Sequence, residues 1–169
     1  MSYHTARRPW GELDVWRLIG EIKNAARNGT LSKTSIPVDD IKDALSTIVW
    51  EDSIGREFPA GDLALRTSHV SEHYDRIYES TNDPVIVFRE ALHKKELMEY
   101  VPKILQNEWE PAELDLLDGL HRLMKALMTH QKTIDVYDVP LSLVKKALMA
   151  PNKSIVSRSR MNRMSKIIK

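Results

Sequence analysis

Residues 110–131, EPAELDLLDGLHRLMKALMTHQ, are the stretch from which the fold is predicted. Pro111 suits a first helical turn, and Glu110 and Glu113 place negative charge at the positive end of the helix dipole. Leucine and methionine recur every three or four residues, which is the helical period. We therefore predict a long central Leu/Met-rich helix, buried on two sides. Gly119 lowers helix propensity by about 1 kcal/mol relative to Ala, which predicts that another helix crosses closely there.

An amphipathic helix is predicted near the N-terminus. Residues 10–28 place polar and apolar side chains on opposite helical faces. Pro9 suits the first turn of this helix, and Gly29 suits a left-handed cap at its end. Trp10 and Trp16 are interpreted as core anchors.

Three further helical regions are predicted in the middle of the chain. Residues 37–50 begin with proline and carry two aspartates in the first turn. Residues 63–77 have apolar side chains spaced by four and three. Residues 85–106 are interpreted as one bent helix or two short ones, because Pro102 interrupts the pattern.

The final part of the body is predicted to contain a linker and a short helix. Residues 133–137 are expected to form a short extended piece, and Pro140 is expected to open the helix. The predicted fold class is all-α, a single compact domain of six or seven helices over residues 1–150. Residues 151–169 are predicted to form a separate basic C-terminal arm.

Composition restricts the class of protein. A chain of 169 residues, 42% hydrophobic and 29% charged, is long enough for one domain with a sizeable core. It has no cysteine, which removes disulfides, thiolate zinc sites and cysteine nucleophiles. No apolar run is long enough to span a bilayer. We expect an intracellular, soluble protein, most simply cytoplasmic, while the short acid-free N-terminus MSYHTARRPW leaves an organellar destination open.

Charge is distributed unevenly between the body and the C-terminal arm. The chain has 25 basic and 24 acidic residues, but its last twenty residues contain six basic and no acidic ones. The rest therefore holds 19 basic and 24 acidic groups, a net charge of about −5. The predicted nucleic-acid or partner-binding residues are Lys153, Arg158, Arg160, Arg163, Lys166 and Lys169.

The arm is predicted to be a basic amphipathic helix. If Ser154 caps it, Met161, Met164 and Ile168 align on one side. Such a helix suits phosphate contacts on DNA or RNA, an acidic protein partner or an anionic membrane surface. Arginine favours bidentate recognition of phosphate or carboxylate, because the guanidinium fork matches both.

The end of the chain also resembles a helix-turn-helix. Residues 143–149 would form the first helix, residues 150–153 the turn, and SIVSR at 154–158 is similar to the start of the recognition helix in LacI-type repressors. The resemblance implies that Ser157 and Arg158 face bases or phosphates in a major groove. It covers about a tenth of the chain, and Ala147 is one position out of the family's register.

One sequence motif matches a metal site. His69, Glu72 and His73 fit the HxxEH pattern of inverzincins, in which two histidines bind zinc and the glutamate is a general base. Arg66 and Arg76 share that helical stripe and would oppose a bound dication. The favoured interpretation is two partly exposed histidines, so no metal or cofactor is expected. The sequence also lacks GxSxG, GxxxxGK and GxGxxG motifs.

The leading hypothesis is a non-catalytic accessory protein of a larger nucleoprotein assembly, whose arm contacts DNA, RNA or an acidic partner. A helix-turn-helix transcriptional regulator is the first alternative. A protein adaptor that does not bind nucleic acid is the second. The sequence leaves the oligomeric state open.

Overall fold

The computed structural model describes residues 5–42, 49–51, 57–59 and 83–149. The chain divides into two compact units, each assembled from segments that are distant in sequence. Of the described residues, 5–32, 88–113 and 139–149 belong to the first unit, and the others belong to the second. The predicted helix over residues 63–77 lies outside the described residues.

The first unit combines a β-hairpin with short helices. Its strands are β1 (Thr5–Arg8) and β2 (Gly11–Asp14), which pair antiparallel. Its helices are α1 (Val15–Arg27), α3 (Lys94–Met98), α4 (Lys103–Gln106), α6 (Leu141–Ala147) and a 3-10 turn over Glu90–His93.

Helix α1 is the longest helix of the described residues, and one face of it is buried. Asp14 caps its N-terminus by accepting a hydrogen bond from the Arg17 backbone N–H at 3.1 Å. Val15, Leu18 and Ile22 are buried at helical spacing, and α1 packs against α6. The opposite face of α1 carries exposed residues, among them Trp16, Arg17 and Lys23.

The second unit is built on a four-stranded sheet. Its strands are β3 (Thr34–Pro37), β6 (Val85–Phe88), β7 (Asp115–Asp118) and β8 (Thr133–Asp138), in the order β3-β8-β6-β7. Phe88, the last residue of β6, is assigned to the first unit. Strand β8 is antiparallel to β3 and parallel to β6. The unit also contains α2 (Val38–Ile41), α5 (Leu120–Met128) and a hairpin of β4 (Val49–Glu51) and β5 (Glu57–Pro59).

An apolar core joins the sheet of the second unit to its helices. Val85, Val87 and Val136 contribute from the sheet, and Leu123 and Met124 contribute from α5. These side chains are nearly inaccessible to solvent, so their burial is the main stabilising term of this unit.

The prediction of an all-α fold is wrong, and the error begins in the stretch 110–131. Residues 115–118 of this stretch form β7, and helix α5 begins only at Leu120. Gly119 between them has φ of +103°, a left-handed conformation that favours glycine and ends the strand. A Cβ at Gly119 would lie 2.6 Å from Cγ1 of Val85. The close neighbour of Gly119 is thus a strand, whereas a helix was predicted.

Other predicted helices are also strands in part. Val85–Phe88 is a fully buried strand, since four consecutive apolar residues suit a strand that is covered on both faces. The helix predicted from Pro37 extends over Val38–Ile41. Residues 43–48 lie outside the described part of the chain, and Trp50, where the helix was expected to end, lies in β4. The N-terminal helix starts at Val15, because the hairpin occupies the preceding residues.

Several local predictions are confirmed. Gly29 follows α1 with φ of +76°, and its N–H donates to the Ala26 carbonyl at 3.2 Å. Residues 133–138 form a strand, and Pro140 precedes helix α6. Pro102 separates the short helices α3 and α4. Within the described ranges, no helix has the length and apolar character needed to cross a bilayer.

Replacing Gly119 by Ala is expected to lower the free energy of unfolding by about 1–3 kcal/mol, because the new methyl group would be strained at positive φ and would collide with Val85. Urea denaturation followed by circular dichroism measures the change. Gly20→Ala is the matched control: Gly20 lies in α1 with open space at the Cβ position, so this variant should gain about 0.5–1 kcal/mol. Equal effects of the two substitutions would contradict the proposed constraint at Gly119.

Candidate functional site

The residues predicted from sequence to bind nucleic acid or a partner lie outside the described residues. They are Lys153, Arg158, Arg160, Arg163, Lys166 and Lys169. The HxxEH residues His69, Glu72 and His73 also lie outside them. Where the structure does describe the chain, no group of three or more His, Asp or Glu side chains is placed to hold a metal ion.

The first helix of the predicted helix-turn-helix is shorter than expected. Helix α6 ends at Ala147, and Leu148 is extended, with φ of −63° and ψ of 127°. Leu148 forms a β-bridge with Leu13, and the Met149 N–H donates to the Glu12 carbonyl at 2.8 Å. Residues 148 and 149 therefore belong to the hairpin edge of the first unit, because β2 offers them backbone partners.

A buried carboxylate, Glu90, is the first candidate for chemistry among the described residues. Glu90 is 4% exposed. Its Oε2 accepts from the indole N–H of Trp10 at 3.0 Å, and its Oε1 accepts from the indole N–H of Trp109 at 3.2 Å and the backbone N–H of Ala112 at 3.2 Å. Phe88 meets the Trp10 ring edge to face, with ring centroids 5.9 Å apart.

These contacts assign Glu90 a structural role. An ionised carboxylate only accepts hydrogen bonds, and the three groups described above are all N–H donors, so they match the charged form. Both carboxylate oxygens are engaged, and the side chain is closed off from solvent. Glu90 thus joins the β1–β2 hairpin, the 3-10 turn and the segment around Trp109.

A polar groove in the second unit is the next candidate. It has a volume of about 230 Å³ and is lined by Asp83, Arg122, Lys125, Ala126, Gln131, Thr133, Ile134 and Asp135. Arg122 donates to the Asp83 and Pro84 carbonyls at 3.0 and 2.7 Å and to Asp118 Oδ2 at 2.9 Å. The Arg122 guanidinium is therefore engaged by the residues that precede β6 and by Asp118. The groove is also lined by the carboxylates of Asp83 and Asp135, so it is a poor site for an anion.

The outer face of α1 is the strongest candidate. Trp16, Gly20, Lys23 and Arg27 follow one another by four, three and four residues, so they share one stripe of the helix, and Arg17 flanks it. All five residues are exposed, and Trp16 is 61% exposed. We call these five residues the α1 stripe.

The charge of the α1 stripe is entirely positive. Arg17, Lys23 and Arg27 take part in no ion pair within the described ranges. The only acidic residue inside the helix, Glu21, lies 3.9 Å from Lys146 Nζ on α6. Three cations therefore remain beside an exposed indole, a combination that suits phosphate groups and aromatic bases.

Gly20 in this stripe has no internal packing reason. A Cβ at this position would meet no atom within 4 Å in the part of the chain that the structure describes, and its φ lies outside the left-handed region. Glycine in a helix interior costs about 0.5–1 kcal/mol relative to Ala, so the position gives up stability without an internal gain. The space beside the helix backbone at this glycine is open.

The α1 stripe is not predicted from the sequence, because Trp16 is interpreted there as a core residue. That prediction is wrong, whereas Trp10, at 1% exposed, is confirmed as a core residue. The sequence did contain a signal, namely the four, three and four spacing of Trp16 with Gly20, Lys23 and Arg27. No family model, curated protein or solved structure matches the chain. Its function is therefore inferred from these side chains.

Glu90→Gln is expected to lower the free energy of unfolding by about 2–4 kcal/mol, because the amide NH2 would face an N–H donor inside the core. Urea denaturation followed by near-ultraviolet circular dichroism measures the loss. Glu96→Gln, at an exposed position on α3, is the matched control and should be nearly neutral. A similarly small effect at Glu90 would contradict the structural role assigned to its carboxylate.

Proposed function

We propose that the protein is a non-catalytic accessory protein of a larger nucleoprotein assembly and that it binds the phosphate backbone of nucleic acid. The observation that carries this proposal is the α1 stripe, in which Arg17, Lys23 and Arg27 are exposed and positive beside Trp16. Each such cation that neutralises a phosphate releases condensed counterions, which is the main source of sequence-independent affinity.

The charge balance of the chain strengthens this interpretation of the stripe. Outside the last twenty residues, acidic groups outnumber basic ones by 24 to 19. The α1 stripe carries three cations, with Glu21 as a flanking carboxylate that lies 3.9 Å from Lys146 Nζ, and it therefore differs from the average surface of the body. The arm residues predicted from sequence, led by Arg158, Arg160 and Arg163, would add a second set of phosphate contacts.

A protein adaptor is the second candidate function, and it has an observation of its own. Leu92 and Ile104 are both 72% exposed, and Tyr100 between them in sequence is 43% exposed. Exposed apolar side chains are common singly, but three large ones within thirteen residues suit contact with a partner protein. Under this alternative, the protein would show no salt-dependent binding to nucleic acid.

Replacing Arg17, Lys23 and Arg27 together with Gln is expected to weaken binding to a labelled duplex and a labelled single strand. If all three cations contact phosphates, the slope of log K against log salt should become shallower by about 2–3 units. Fluorescence anisotropy titrations at several salt concentrations measure both quantities. Glutamine keeps a good helix propensity, so α1 should remain folded by circular dichroism.

The matched control replaces Lys94, Lys95 and Lys103 with Gln. These residues are also exposed and lie in the same unit as the α1 stripe. Their replacement removes three positive charges, as the stripe variant does. The control should change the salt slope much less than the stripe variant does. A full-length Arg158, Arg160 and Arg163 to Gln variant measures the contribution of the arm. If the wild-type protein binds neither nucleic acid, the proposal fails and the adaptor is favoured.

A further inference from the structure

We infer that the α1 stripe binds single-stranded nucleic acid, with an unpaired base stacked on the Trp16 indole and lying over Gly20. This inference rests on the proposed function and makes it specific, because it names the class of nucleic acid and the residues that select it. Duplex DNA or RNA would contact the same cations but could not offer a free base to Trp16.

The exposure of Trp16 is the first observation behind this inference. Tryptophan is the largest apolar side chain, yet 61% of Trp16 faces solvent at the first turn of a helix whose other face is buried. Exposed indoles in binding proteins supply a rigid stacking surface. Every base has a π-face, so a single tryptophan can bind an unpaired base without reading its sequence.

Gly20 is the second, independent observation. It lies one helical turn beyond Trp16 on the same stripe, and the space where its Cβ would stand is open. A flat molecule stacked on the indole can therefore extend toward the helix backbone at Gly20, where no Cβ stands and the Cβ position is open. Asn24, exposed one further turn along, places an amide donor and acceptor next to that position.

The cations of the α1 stripe lie at both ends of the open position at Gly20. Trp16 and Arg27 are eleven residues apart, which corresponds to about 16 Å along an α-helix. Lys23 and Arg27 lie beyond Gly20, and Arg17 lies beside Trp16, so positive charge is present at both ends of the open position. A strand whose base stacks on Trp16 can thus have phosphates contacted on either side of that base.

A second copy of the chain is the other molecule that could approach Gly20, because small residues allow helices to cross closely. Two identical stripes would bring six cations together, and such like-charge contact is unfavourable. Nucleic acid carries the opposite charge and presents flat aromatic bases. Charge and shape therefore both favour a nucleic-acid strand over self-association.

The test compares a labelled oligothymidylate of about 15 nucleotides, a length within the range of known single-strand sites, with a duplex of equal length. Full-length wild type should bind the single strand more tightly than the duplex. Trp16→Ala should weaken single-strand binding by about 5- to 150-fold and leave duplex binding within about threefold of wild type. Tyr100→Ala removes another exposed aromatic residue of the same unit and should leave both affinities unchanged.

Gly20 gives a second, graded test. Gly20→Ala and Gly20→Leu introduce good helix formers into open space, so neither should lower the melting temperature. Single-strand affinity should fall from Gly to Ala to Leu, because the larger side chain increasingly covers the position next to Trp16. Binding of inorganic polyphosphate, which has no bases, should be the same for all three proteins.

Three results would overturn the inference. The first is equal single-strand affinity of wild type, Trp16→Ala and Gly20→Leu. The second is an equal loss of duplex and single-strand binding in Trp16→Ala. The third is that Gly20→Leu abolishes a self-association that wild type shows in sedimentation velocity, while the nucleic-acid binding of this variant persists. In each case the proposed function would still stand if wild type shows salt-dependent binding, whereas absence of all binding would remove both.

Discussion

The burial of the Glu90 carboxylate is the constraint on which the first unit depends. A buried charge is tolerated only when hydrogen bonds replace its lost hydration. Trp10, Trp109 and Ala112 supply three N–H donors, and they come from segments that are far apart in sequence. The carboxylate therefore connects the hairpin, the 3-10 turn and the segment before β7. Because α1 begins directly after strand β2 of this hairpin, the same contacts position the start of α1.

The two faces of α1 divide structural and functional roles between neighbouring residues. Val15, Leu18 and Ile22 fill the core of the first unit, while Trp16 and Gly20 remain on the outer surface. A tryptophan that is 61% exposed and a glycine inside a helix both forgo stability that other residues would have provided. Such local departures from stability are expected where a surface is used for binding.

The assignment of Trp16 to a face of α1 depends on the residue at which the helix starts. With a helix assumed from Trp10, both tryptophans were assigned to the apolar face. The hairpin moves the start to Val15, and the buried residues Val15, Leu18 and Ile22 then define an inner face that excludes Trp16. The stripe was therefore present in the sequence, but its exposure was not predictable until the partners of α1 were known.

Local features of this protein were predictable without the fold: the cap at Gly29, the break at Pro102, the strand near 133–138 and the separation of charge along the chain. These depend on backbone restrictions and composition, which act within a few residues. The strand at residues 115–118 and the turn at Gly119 into α5 depend instead on contacts between distant parts of the chain. A short apolar run fits either a helix or a strand, and the choice depends on distant pairing with β6, because burial and backbone hydrogen bonds override local propensity.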